Sequence, residues 1–201
     1  MATVIENSTV AQAEPGVTAL LRRFTVEEYY LMGEAGIFRP EERLELIEGE
    51  IHLMSPRGPK HSSSITYASD CFRKYLGRRV IIRTQDAIHL DDYSEPEPDL
   101  VLAVPPKRRY IDHHPTPSEI LLVLEIAESS LAQDRQKSRV YAKAGIIQYC
   151  LLNLKTEKLE DHRNPGPAGY RSKETYQADQ SFNLVAFPDI WIGVAELLPR
   201  A

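Results

Sequence analysis

Apolar residues recur at spacings of three and four through Ile65, Ala68, Phe72 and Tyr75, which predicts one face of an amphipathic helix. A shorter helix is predicted through Val26, Tyr29, Tyr30 and Met32. Thr25 followed by Glu28 gives it a capping box, and Gly33 or Gly36 stops it. A third helix is predicted from about Leu131 to Ala144, ending at Gly145. Between the helices the apolar runs have strand length. Arg43–Glu48 and Glu50–Met54 flank Gly49, and Val80–Arg83, Ala87–Leu90 and Leu100–Val104 follow. Ile120–Ile126 is apolar on both faces, as in a central strand. Gln148–Leu154 and, beyond the turn KTEK, Leu159–His162 complete this set, and the tail adds two strands and a short helix near Ala195–Leu198.

This order predicts an α/β (α+β) fold: a mixed β-sheet flanked by helices in a single domain. Residues 1–22 are small and polar with Pro15 and Gly16, and read as a flexible N-terminal arm, so the domain is expected over 23–201. The sequence holds neither an internal repeat nor a low-complexity block.

Composition narrows the class. Of 201 residues, 42% are hydrophobic and 26% charged, typical of a globular chain and unlike a disordered or coiled-coil one. Even an apolar run such as Ile120–Leu124, which no other exceeds, is far below the roughly 20 residues of a membrane-spanning helix, so no membrane partner is expected. The start of the chain has neither the basic nor the apolar region of a secretory leader, which predicts a cytoplasmic location. Cys71 and Cys150 are then expected as two reduced core thiols. With 24 Lys+Arg against 29 Asp+Glu, the net charge of −5 gives no global attraction to nucleic acid, though the cluster Lys107, Arg108, Arg109 could act locally.

Carboxylates set against apolar strands are the informative chemistry, because a buried charge must be compensated. Asp99 opens LVLAV after Pro98, and Glu125 ends ILLVL. If these strands are neighbours the two acids converge. Converging carboxylates share a proton or hold a hard cation such as Mg²⁺, and the bland alternative is a turn cap and an Arg pair. Lys137 lies on the same helical face as Val140, Tyr141 and Ala144. It either runs along the apolar surface to expose its amine or aims it at a metal-bound phosphate. Glu45 and Glu48 fall on opposite faces of their strand, so at most one points inward. Lys60 and His61, at the start of the second helix, are candidates for contacting a nucleic-acid phosphate; a solvated loop histidine is the other reading.

The segments RLELIEGEIHLMSP, EPEPDLVLAV and ILLVLEIAESSLAQDRQKSRVYAKAGIIQYCLL together resemble the Uma-type family of restriction-endonuclease-like proteins, formerly a domain of unknown function, in the PD-(D/E)XK nuclease superfamily. The resemblance covers about residues 24–198. It implies a restriction-endonuclease-like core and Mg²⁺-dependent cleavage of DNA, with Mn²⁺ as a possible substitute. Asp99 matches the acid of the PD motif, Glu125 that of the (D/E)XK motif, and Glu45 the glutamate before the acidic-Gly turn. Asp99 and Glu125 would be the metal ligands, with the Ile126 carbonyl and Glu45 beside them. The superfamily lysine falls on Ala127, and the family's D-x-x-K-x-x-x-Y pattern, matched by Asp134, Lys137 and Tyr141, makes Lys137 its migrated substitute. Gln148 and Cys150 replace the family's common Glu and Trp.

The leading expectation is therefore a Mg²⁺-dependent endonuclease with catalytic residues Glu45, Asp99, Glu125 and Lys137, acting on DNA and suited to a homodimer. The alternatives are a catalytically inactive nuclease-fold protein that binds nucleic acid or a protein, and a phosphoesterase of small molecules.

Overall fold

Strand Ile120–Ala127 carries apolar side chains on both faces, and each face meets its own helix. The computed structural model describes residues 21–106, 109–128 and 131–199. In chain order its elements are α1 (Val26–Glu34), β1 (Leu44–Ile47), β2 (Glu50–Leu53), α2 (Pro59–Leu76), β3 (Ile81–Arg83), β4 (Leu100–Ala103) and β5 (Ile120–Ala127). There follow α3 (Leu131–Lys143), β6 (Gln148–Asn153), β7 (Lys158–Arg163), β8 (Ser172–Tyr176), β9 (Ser181–Leu184) and β10 (Phe187–Gly193).

Six strands make one sheet in the order β3-β4-β5-β6-β7-β8, and β1–β2 and β9–β10 are separate pairs. Only β5 and β6 run parallel within the six-stranded sheet. Parallel neighbours need a crossover connection, and α3 supplies it. The result is the mixed sheet with flanking helices expected from the sequence.

Strand alternation assigns the two faces. Leu122, Leu124 and Ile126 pack in one cluster with Ile65, Ala68 and Phe72 of α2, and β9–β10 closes it with Phe182, Leu184 and Ile192. Val123 and Ala127 pack in a second cluster with Tyr141 of α3 and with Tyr149 and Leu151. Glu125 shares the side of Val123 and Ala127, so the sheet carries a carboxylate under α3. Both cysteines are buried and free, each in a core element, as expected.

Three readings change. Ala87–Leu90 is extended but forms no strand. The amides of Ile88 and His89 donate to the carbonyls of Pro96 and Pro115, and proline has no N–H to return the bond, so no ladder propagates. The tail after β7 has three strands rather than two, and its short helix is a 3₁₀ turn at Val194–Glu196. Residues 1–20 of the expected arm, and Lys107 and Arg108 of the basic cluster, lie outside the described residues. Among the described residues no helix is long and apolar enough to cross a membrane.

The β1–β2 connection sets the cleft's rim. Ile47 pairs with Glu50 across a two-residue turn in which Glu48 and Gly49 both have positive φ (47° and 79°), matching the right-handed strand twist. A Cβ at Gly49 would lie 2.4 Å from Arg23 Cβ, so only glycine fits. The turn takes Glu48 out of the strand alternation into solvent, while Glu45 is buried.

Candidate active site

Register brings the two strand-end acids together. Leu100 of β4 opposes Leu124 of β5, so Asp99 and Glu125 are one step further along the same pair of strands. The Asp99 amide donates to Glu125 Oε2 (3.2 Å), and the Ile126 amide donates to Asp99 Oδ2 (2.9 Å). Asp99 is 7% exposed and Glu125 3%. The neighbouring strands that the convergence of these two acids required are present.

The helix after β5 brings the cation. Lys137 Nζ lies 2.8 Å from Glu45 Oε1 and 3.3 Å from Glu125 Oε1, with its side chain 12% exposed. Tyr141, one turn further on, donates its hydroxyl to the same Glu125 Oε1 (2.9 Å). Glu45 is also fixed by the Glu97 amide, which donates to Oε2 (3.2 Å), and Glu97 in turn pairs with Arg43 (3.2 Å). Of the two glutamates flanking the first turn, Glu45 faces the site, and Glu48 pairs at the surface with Lys143 (3.2 Å). Asp134, a turn before Lys137, is buried and lines the same cleft.

His61 is the third residue of α2 and is buried with its Nε2 3.0 Å from Asp99 Oδ2. A carboxylate only accepts, so Nε2 carries the proton. The histidine is thus neither solvated nor turned to an outside phosphate. Lys60, its neighbour, donates to the Leu154 carbonyl (3.1 Å) and is not among the residues lining the cleft.

One ammonium is shared between two glutamates, and the titration directions follow from that. Burial pushes the Glu125 carboxyl up to about 8 against the pull of Lys137, with Asp99, Asp134 and Glu45 adding to the rise. Burial alone would lower Lys137, but Glu125 and Glu45 outweigh it and hold its pKa up. Burial would also lower His61, and its bond to Asp99 reverses the sign.

These groups open on a cleft of about 670 Å³ between the β1–β2 hairpin, the start of α2 and the outer side of α3. The donor set suits a hard divalent cation. Asp99 Oδ2 holds two donors, whereas among the described residues no donor reaches Oδ1. Among the described residues no three His, Cys, Asp or Glu side chains form a closed cage. An ion on Asp99 and Glu125 would complete its shell from water, backbone oxygen and substrate, as Mg²⁺ does at phosphate sites.

The geometry also exposes what the sequence reading missed. Tyr141 reads as core by periodicity, and its hydroxyl is what fixes Glu125. Arg57, Glu97 and Glu128 line the cleft from loops, where periodicity carries no signal.

The sequence profile of Uma2, described as "Putative restriction endonuclease", matches residues 26–195. The chain belongs to this family. Restriction-endonuclease-like families are generally divalent-metal dependent, which agrees with the oxygen-rich donor set of this Uma2 chain. In fold it is similar to a crystal structure described as a putative nuclease belonging to DUF820 from Anabaena variabilis ATCC 29413, with a TM-score of 0.70 and 15% identity over 87% of this chain and 97% of that one. At that identity the likeness speaks for the fold alone. No curated protein matches the chain. The family supports a nuclease function for the Uma2 protein and, with it, a nucleic-acid substrate.

Proposed function

We propose that this Uma2 protein is a Mg²⁺-dependent endonuclease that cleaves DNA phosphodiester bonds, with Glu45, Asp99, Glu125 and Lys137 as its catalytic residues. One observation carries the reading: a largely enclosed lysine ammonium reaches two glutamates beside the aspartate of the neighbouring strand, in the lining of a cleft. Asp99 and Glu125 would hold the ion, which when bound polarises the phosphoryl group and makes water a better nucleophile. The chain's own residues do the rest. His61 and the Ile126 amide fix Asp99 through Oδ2, leaving Oδ1 for the ion. Tyr141 and the Asp99 amide fix the two oxygens of Glu125. Lys137 balances Glu45 and Glu125 and sets a positive charge where negative charge grows on the phosphate. His61 therefore positions Asp99 instead of binding nucleic acid. Mn²⁺ is the expected substitute ion, the cytoplasm the expected site of action, and a homodimer, tested by light scattering, the assembly suited to cutting both strands.

A second reading is a nuclease-fold protein that binds nucleic acid without cutting it. It is favoured by the engagement of Lys137 with two carboxylates and by the net charge of −5. Incubation with supercoiled plasmid and Mg²⁺ or Mn²⁺ separates the two. The endonuclease reading expects nicked or linear product, and expects Asp99→Asn and Glu125→Gln each to abolish both the product and the metal-induced rise in melting temperature. Salt-dependent binding with intact plasmid at every metal concentration would leave the second reading standing.

A further inference from the structure

Two of the four lysine and arginine side chains that line the cleft are already bonded to the protein's own carboxylates. Lys137 is held by Glu45 and Glu125, and Lys143 by Glu48. Arg57 is not. It lies in the loop between β2 and α2 and lines the same cleft as Asp99 and Glu125, and its Nη2 is buried with no hydrogen-bond acceptor. Among the described residues it makes no ion pair or hydrogen bond at all, and the other cleft cation without one, Arg139, is exposed.

A guanidinium that is only partly exposed, with one N–H shut from water and without an acceptor, is costly to keep, and its remaining N–H groups face the cleft free to match a ligand. Burial and the nearby Arg43 both work against its charge, while Asp99, Glu97 and Glu125 favour it. None of these acids hydrogen-bonds it. Gly58 caps α2 with no side chain and Pro59 follows, and the Glu128 carboxylate sits beside Gly58, so Arg57 rather than the helix end is the group left to meet an anion. The cleft is otherwise rich in carboxylates, which repel a phosphodiester unless a cation meets it. The planar fork of arginine fits two phosphate oxygens at once.

We propose that Arg57 binds a backbone phosphate of the nucleic-acid strand lying in the cleft, as the half-buried cation that the protein's own carboxylates leave unbonded. This rests on the nuclease reading and names the group that would hold its substrate beside the acids.

The test uses the full chain in EDTA, so that nothing is cut, with a short fluorescein-labelled DNA duplex followed by anisotropy across a salt series. Arg57→Ala should weaken binding about tenfold or more and reduce the slope of log K against log salt by about 0.9, the loss of one phosphate contact. Arg57→Lys should recover the slope but only part of the affinity. Mn²⁺ affinity measured by calorimetry should hold or tighten in Arg57→Ala, because a like charge near Asp99 and Glu125 is gone. A purely structural arginine would move neither the slope nor its rescue. Unchanged affinity and slope in Arg57→Ala, with wild-type protein binding the duplex, overturns the proposal while leaving the nuclease reading intact. If the wild type binds no DNA, the nuclease reading fails first. Inorganic phosphate then decides for Arg57: its side-chain N–H resonance, assigned by its absence in Arg57→Lys, shifts on titration or the phosphate site is refuted. Should Arg57→Ala not fold, Arg57→Gln takes its place, and should neither fold, the same resonance during duplex titration gives the answer.

Discussion

Replacing Lys137 by methionine keeps the length and apolar stem of the side chain and removes only its charge and donors. In the native protein the ammonium is almost wholly enclosed, and its partners Glu45 and Glu125 have side chains only 7% and 4% exposed. Removing one member of a buried ion pair costs about 3–5 kcal/mol, because the Glu45 carboxylate left behind has been taken out of water and keeps no counter-charge. For a domain of this size each kcal/mol is roughly 2–4 °C in melting temperature, so Lys137→Met should melt roughly 6–20 °C lower in EDTA. Chemical denaturation at fixed pH gives the free energy directly. The reasoning makes a second demand. If the loss comes from an orphaned charge, Glu45→Gln in the Lys137→Met background should restore part of it, with a coupling energy of about 1.5 kcal/mol or more between the two sites. A loss under about 1 kcal/mol, with the two substitutions additive to within about 0.5 kcal/mol, would mean that solvent screens the pair and that the buried-cation argument is wrong. The experiment also sets the conditions for any cleavage assay, since Lys137→Met must be compared at a temperature where it is folded.

The sequence exposes most of this site because its chemistry sits on regular elements. Asp99 and Glu125 were legible as acids bordering apolar strands, and Lys137 as a cation on an apolar helical face. What periodicity could not supply was the register that makes β4 and β5 neighbours. The partner of His61 was hidden for the same reason: a helix N-terminus suggests an anion, and only the tertiary fold shows that the anion is Asp99 from thirty-odd positions away. Ala87–Leu90 misled because alternation reports which side chains are apolar and says nothing about whether a facing backbone can donate. Tyr141 is the opposite lesson. Its ring obeys the apolar stripe while its hydroxyl serves Glu125, and a binary apolar-or-polar reading has no place for a residue that is both.

The remaining predictions probe the surroundings of the site. Tyr141→Phe keeps the packed ring and removes the hydroxyl, so stability should fall by about 1–2 kcal/mol with an unchanged far-ultraviolet spectrum; no loss would mean that the bond to Glu125 contributes nothing. Burial pushes the Cys71 thiol up to about 12 and raises that of Cys150 as well, so native protein should resist a thiol reagent and denatured protein should release two thiols. Rapid native labelling of either would contradict their burial. The acid limb of stability should report Glu160, on β7 beside α3. Burial would raise its carboxyl, but hydrogen bonds from Arg135 and Lys173 outweigh that and hold it down at about 2. A carboxylate whose folded pKa lies below its unfolded value of about 4.3 contributes stability that is full above the unfolded value and is lost as pH falls toward 2. Glu160→Gln cannot titrate, so the stability difference between wild type and variant should be constant from neutral pH down to about 5 and then shrink between about 4.3 and 2. His162 shares Glu160 Oε2 at 3.4 Å, and burial lowers its own pKa, so Glu160→Gln is best measured alongside His162→Gln to keep the two titrations apart. A difference that stays constant down to pH 2 would show that Arg135 and Lys173 do not hold the carboxylate in the folded protein.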